Sequence, residues 1–287
     1  MADLFKLQDQ VVARLASSLS YALTNAEAEK GARSKNPDAI DLTMRGNELF
    51  MRGIDSQSKN LQARALFERA LQIDPNNAEA LSGSAETYAF DWNNGWGDPG
   101  TDYDARILGQ ANRAINLAPD DSGVYFPKAR YLSLSRRPSD ALGVADAGLA
   151  VNPSDVELLR VRALAENSLG RYERAKDDLG RTLRLSPRDP FVGFFHIELG
   201  KAEIGLGNFD EAVDEIRKAI DLGHRPFYAY TNLAAAYAHA GKMDEAKVAL
   251  AEARRLNPAI TVNWLKEHTP YLPAVLDGLR KAGLPEE

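Results

Sequence analysis

Apolar residues along most of this chain stand three and four positions apart, in short stripes that come in pairs. In the clearest stretch, Tyr230, Leu233, Ala234 and Tyr237 lie at i, i+3, i+4 and i+7, which is one face of an α-helix. Gly241 follows where a left-handed C-terminal cap is favoured, and Gly170 and Gly207 hold the equivalent place elsewhere. A second stripe, Ala246, Leu250 and Ala253, then runs to Pro258, which cannot continue a helix. The pattern predicts helix, tight turn, helix, tight turn.

This unit recurs with a period of 34 residues, most regularly in Ser122–Pro153, Val156–Pro187 and Phe227–Pro258. The second helices align Ala63, Ala141, Ala175, Ala212 and Ala246. Seven residues later stand Ala70, Gly148, Thr182, Ala219 and Ala253, and five further on Pro75, Pro153, Pro187, His224 and Pro258. Helices approach closely only where side chains are short, so these positions are expected in helix–helix contacts. A Leu or Phe at Ala175 or Ala246 should overpack by roughly 1–3 kcal/mol.

Residues 39–258 are expected to form about six such pairs, with insertions near 53–60, 91–104 and 188–192. Within 1–38, residues 3–25 predict an amphipathic helix through Leu4, Leu7, Val11, Leu15 and Leu19, which could join two copies into a homodimer. Residues 259–287 predict short capping helices, broken at Pro270 and Pro273, that cover the last apolar face.

The Leu81…Ala85…Tyr88, Leu159…Ala163, Leu199-Gly200 and Tyr230…Leu233-Ala234…Tyr237 patterns resemble the first helix of the tetratricopeptide repeat. Ala63…Phe67…Ala70…Pro75 and Ala246…Leu250…Ala253…Pro258 resemble its second helix. Glu166 departs from the pattern where Tyr or Leu is usual, and His224 where Pro is. The resemblance implies an all-α, right-handed α-solenoid of stacked pairs that binds a protein or peptide partner. A second resemblance rests on Asp3–Val12, Asn36-Pro37-Asp38-Ala39 and Gly278–Glu286. These are similar to C-terminal regions of bacterial regulators in which a class III adenylate or guanylate cyclase domain, or a winged helix, precedes a TolB-like region and tetratricopeptide repeats. It implies a regulatory module of a signalling protein. The cyclase's metal-binding aspartates have no counterpart in the chain, so no catalytic activity carries over.

Composition narrows the function further. The 287 residues contain no cysteine, which removes disulfides, thiolate metal sites and cysteine nucleophiles and fits a cytoplasmic location. A net charge of −6 argues against nucleic acid as a partner, and no run of 18 apolar residues suits a membrane span. No catalytic loop motif is present, the histidines lack metal-ligand spacing, and no cofactor is expected. The Asp/Asn-rich stretch near Trp92 lacks the spacing of a calcium loop.

The candidate site is therefore a binding face. In repeats of this kind the first helices line the inner side, and positions two, five, six, nine and twelve point outward from the pair. Arg130, Arg160, Asn167, Lys201, Tyr228, Thr231 and Asn232 fall on such positions, with Glu79, Ser82, Glu86 and Phe126 beside them. Amides can bond a peptide main chain, and cations can pair with its acidic groups. Read as surface residues, Arg160 and Lys201 should tolerate replacement within about 0.5 kcal/mol. Trp92 and Trp96, in the second insertion, are either interface anchors or rings folded back into their own loop.

Overall fold

The structure, a computed structural model, describes residues 38–51, 56–189, 191–268 and 272–287. Fourteen α-helices make up the described secondary structure, with a single 3-10 turn at Ser122–Tyr125. They are α1 (Ala39–Met51), α2 (Gln57–Ile73), α3 (Ala78–Asn94), α4 (Tyr103–Leu117), α5 (Phe126–Leu134), α6 (Pro138–Val151) and α7 (Val156–Ser168). The rest are α8 (Tyr172–Leu185), α9 (Val192–Leu206), α10 (Phe209–Asp221), α11 (Phe227–His239), α12 (Met243–Leu256), α13 (Val262–His268) and α14 (Pro273–Lys281). The helix expected over residues 3–25, Pro270 and part of the first insertion lie outside the described residues.

The fold is an all-α solenoid of helix pairs. Contacts group the chain into two compact units, one of residues up to Ser135 with Gly143–Leu158, the other of Arg136–Leu142 with Leu159–Glu287. In the first unit α1 packs on α2 and α3 on α4, and α2 also meets α3. In the second, α9 packs on α10 and α11 on α12, while α8 and α10 each bridge to the next first helix.

The small-residue ladder is the seam of each pair. Ala63, Ala70, Ala141, Ala175, Ala212, Ala219, Ala246 and Ala253 are fully buried. The second pair, left out of the sequence ladder, places Ile107 and Ala114 at the same two positions, also fully buried. Its seam was hidden because the insertion before α4 shifts the register. Where large residues enter, glycines face them. A Cβ on Gly46 or Gly83 would stand 2.7 or 2.4 Å from the ring of Phe67, so α1 and α3 press on that ring from their own backbones.

The turns follow their caps. Gly170, Gly207 and Gly241 adopt φ of 73°, 83° and 76°, as the pattern anticipates. The same place in the third pair is held by Arg136, at φ 61°. A side chain there resists the left-handed conformation. Its Nη2 donates to the Lys266 carbonyl oxygen at 2.6 Å.

The C-terminal helices do not continue the stack as a further pair. α14 lies against α11 and α9, the first helices of the last two repeats. The segment after it returns to α13, where Val262 N–H donates to the Pro285 carbonyl and Asn263 N–H to that of Glu286.

Candidate functional site

Each first helix turns one stripe toward its second helix. The opposite side, taken as the inner face, is what remains. In the second unit it is formed by α7, α9 and α11. Their residues are not free. Adjacent first helices are laced together by the positions that point away from the pairs.

Glu198 of α9 is the centre of this lacing. Asn167 Nδ2 of α7 donates to its main-chain oxygen at 3.0 Å and to Oε2 at 3.2 Å. Lys201 Nζ donates to Oε1 and Oε2 at 3.1 and 3.0 Å. Arg160 lays its guanidinium 5.7 Å from the ring of Phe191 and 5.8 Å from that of Phe194. Burial, with the charge of Glu198 added, pushes the Tyr228 phenol up to about 12. Thr231 Oγ1 donates back to the Tyr228 carbonyl at 3.0 Å. Asn167 and Thr231 are fully buried, and Asn232 is 1% exposed. The Oδ1 atoms of Asn167 and Asn232 accept no hydrogen bond.

Six of the seven predicted residues thus lie within the second unit, gathered on α7, α9 and α11. They are deeper than their outward register suggests. Arg160 is 9% exposed, and the Lys201 side chain 13%. The expectation that either can be exchanged within about 0.5 kcal/mol is corrected: Arg160 lies against Phe191 and Phe194 of the next repeat, and Lys201 neutralises a buried carboxylate on its own helix. The seventh, Arg130, belongs to the first unit. There Nη1 meets Glu86 Oε1 at 2.8 Å, and the guanidinium lies 4.4 Å from the centre of the Phe90 ring. Phe90 in turn stands edge-on to Phe50 at 4.8 Å.

The aromatic insertion folds back. Trp92 is half-buried with its ring 5.1 Å from that of Tyr131, in the cluster of Tyr88, Ala89 and Ile107. Trp96 is also half-buried, and its carbonyl accepts from Gln57 Nε2 at 2.9 Å. Gly97 lies so close to the Tyr103 hydroxyl that a Cβ would collide with it.

Sequence reasoning missed the apolar part of the inner face. Ile197 and Ile204 of α9, with Ala235 and Ala238 of α11, occupy outward positions and are buried in one cluster with Val275, Leu276 and Leu279 of α14. The signal was present: with these residues added to the inner stripes, α11 is apolar over most of its circumference and α9 on two of its sides, more than packing on one partner helix uses.

The histidines take structural places. His196 Nδ1 lies 2.6 Å from Glu215 Oε2. His239 Nε2 lies 2.8 Å from the Ala274 carbonyl, and its ring stacks on Phe209 at 4.6 Å. No cluster of three His, Asp or Glu among the described residues is arranged to hold a metal ion. No helix among them is long and apolar enough to cross a membrane.

Residues 126–190 and 197–259 match the tetratricopeptide repeat family. A Rhizobium meliloti (strain 1021) protein named as adenylate cyclase 3 is 29% identical over 143 residues, which is 49% of this chain and 24% of that protein. The DnaJ homolog subfamily C member 7 homolog of Schizosaccharomyces pombe is 27% identical over 203 residues, covering 64% of this chain and 41% of its own length. The chain therefore spans less than half of either relative. Among solved structures, the APC/C hetero-tetramer Cut9–Hcn1 superposes with a TM-score of 0.70 at 16% identity, over 94% of this chain and 47% of that one. That likeness is one of fold.

Proposed function

We propose that the chain, whose residues 126–190 and 197–259 match the tetratricopeptide repeat family, is a non-enzymatic scaffold binding a protein or peptide partner on the inner face of its first helices. One observation carries this reading: the polar set of buried Asn167, Glu198 and Asn232 with half-buried Lys201 and Tyr228, shared by α7, α9 and α11. Packing does not require it. Buried charges and amides are costly, and apolar residues of similar size would hold the helices at least as well. Polar groups kept at such a cost suit recognition.

The test is affinity capture from the source cell with the wild-type chain and with Arg160→Gln, partners being identified by mass spectrometry. Loss of particular partners in the variant supports the inner face. Recovery of the same set from both would remove it.

A second reading has its own support in the similarity to the Rhizobium meliloti protein. In it the chain is the regulatory portion of a bacterial signalling protein and sets the output of a nucleotide cyclase. Cyclic nucleotide production by a cyclase carrying this region, compared with one lacking residues 38–287, checks it; equal output sinks it.

A further inference from the structure

α14 sits on the inner face of the second unit in the manner of a ligand. It meets α11 and α9. Val275 and Leu279 are fully buried and Leu276 nearly so, over the strip made by Ile197, Ile204, Ala235 and Ala238. One polar contact fixes the seat from main chain to side chain, Ala274 carbonyl to His239 Nε2 at 2.8 Å. Lys281 Nζ lies 3.3 Å from the other ring nitrogen of the same histidine. The exposed part of α14 is charged, with Lys281 paired to Asp277 at 2.8 Å along the edge nearest His239 and Arg280 paired to Glu286.

The crossing is selective. A Cβ on Gly278 would stand 2.7 Å from the Ala235 carbonyl oxygen and 2.8 Å from its Cα. Both are main-chain atoms of α11 and have nowhere to move. Only a helix with a small residue at that point can lie so close, with apolar residues at −3, −2 and +1 beside it. α14 is also only nine residues long. A helix of that length is marginal in water, so its order depends on the seat.

We infer that the strip over α9 and α11 is a helix-binding surface which α14 occupies in cis, and that its partner is an amphipathic helix of the spacing Val-Leu-x-Gly-Leu. This rests on the inner-face reading above and specifies it: the occupant of this part of the face is helical, and it competes with α14. Recognition follows the helix-in-groove mode, with apolar anchors one turn apart.

The test uses the full chain carrying Gly278→Leu and a fluorescent peptide of residues 272–287. The added side chain drives α14 from α11 without altering the strip. By fluorescence anisotropy the variant is expected to bind the peptide at least tenfold tighter than the wild type. A peptide carrying the same Gly278→Leu change should not bind. A variant that keeps its helical circular dichroism yet binds no better than wild type overturns the inference. So does a variant that loses its helical signal altogether, because α14 is then an integral part of the fold. Hydrogen exchange on the wild type is an independent check. α14 amides should exchange at least tenfold faster than those of α11, and equal protection counts against displacement. Failure of the peptide experiment with Arg160→Gln still losing its captured partners removes only the in-cis helix. Peptide binding with capture unaffected by Arg160→Gln removes the polar reading and leaves this one.

Discussion

The side-chain amide of Asn167 bonds two different groups of Glu198, its main-chain oxygen at 3.0 Å and its carboxylate at 3.2 Å, and so ties α7 to α9. Asn167→Leu leaves the carboxylate and the carbonyl of a buried residue short of a donor. The expected loss is about 1–3 kcal/mol. Urea unfolding measures it, and a change under about 0.5 kcal/mol would show the contact to be dispensable.

Lys201 neutralises the same carboxylate. Lys201→Met keeps the length of the stem and removes the charge, leaving Glu198 enclosed without its cation. A loss of about 2 kcal/mol or more is expected, part of it recovered in the double variant with Glu198→Gln. Additive losses in that cycle would mean that the two do not interact.

Phe67 is fully buried between the glycine backbones of α1 and α3. Phe67→Ala should cost about 3–5 kcal/mol. Gly83→Val should also destabilise, by about 1–3 kcal/mol, because its branches enter the space the ring fills. A stabilised Gly83→Val in a melting experiment would contradict this packing.

Arg136 holds a left-handed turn that glycine holds in the next three pairs. Relief of that strain is opposed by loss of one exposed hydrogen bond to Lys266. Arg136→Gly is expected to raise stability by up to about 1 kcal/mol. A lower melting temperature would show that the bond outweighs the strain.

Burial alone would raise the Glu215 carboxyl, but hydrogen bonds from His196 and Lys218 outweigh it and hold it below its ordinary 4.5. A depressed carboxylate contributes stability above its unfolded value and loses it as pH falls through the folded one. Unfolding free energy should therefore begin to fall near pH 4.5 and continue downward below it. Glu215→Gln should flatten that acid limb. An unchanged slope between the two proteins would assign the acid sensitivity elsewhere.

The helix pairs were legible because spacing encodes them. Ala246, Leu250 and Ala253 mark a buried stripe whatever lies around them, and Gly241 marks its end. Ile107 was not legible, because the insertion before α4 breaks the count that would place it. The candidate residues were found by register, which says which way Asn167 points from its own pair. It cannot say that the next first helix reaches over to meet it. The path of α14 was equally hidden. Nothing in its amphipathic pattern distinguishes covering the end of the stack from lying across α9 and α11. The sign available was on the receiving side, in Ile197, Ile204 and Ala238.

Glu198 is engaged from two sides, by Asn167 and by Lys201. A visitor that pairs with the Glu198 carboxylate, or with the Asn167 Nδ2 and Lys201 Nζ donors that hold it, must take the place of a partner already there. Binding on this part of the face is then an exchange rather than an addition. Its heat will be small for the number of contacts made, and its rate will follow how often the resident contacts let go. Discrimination among visitors comes from how faithfully each one reproduces what it displaces.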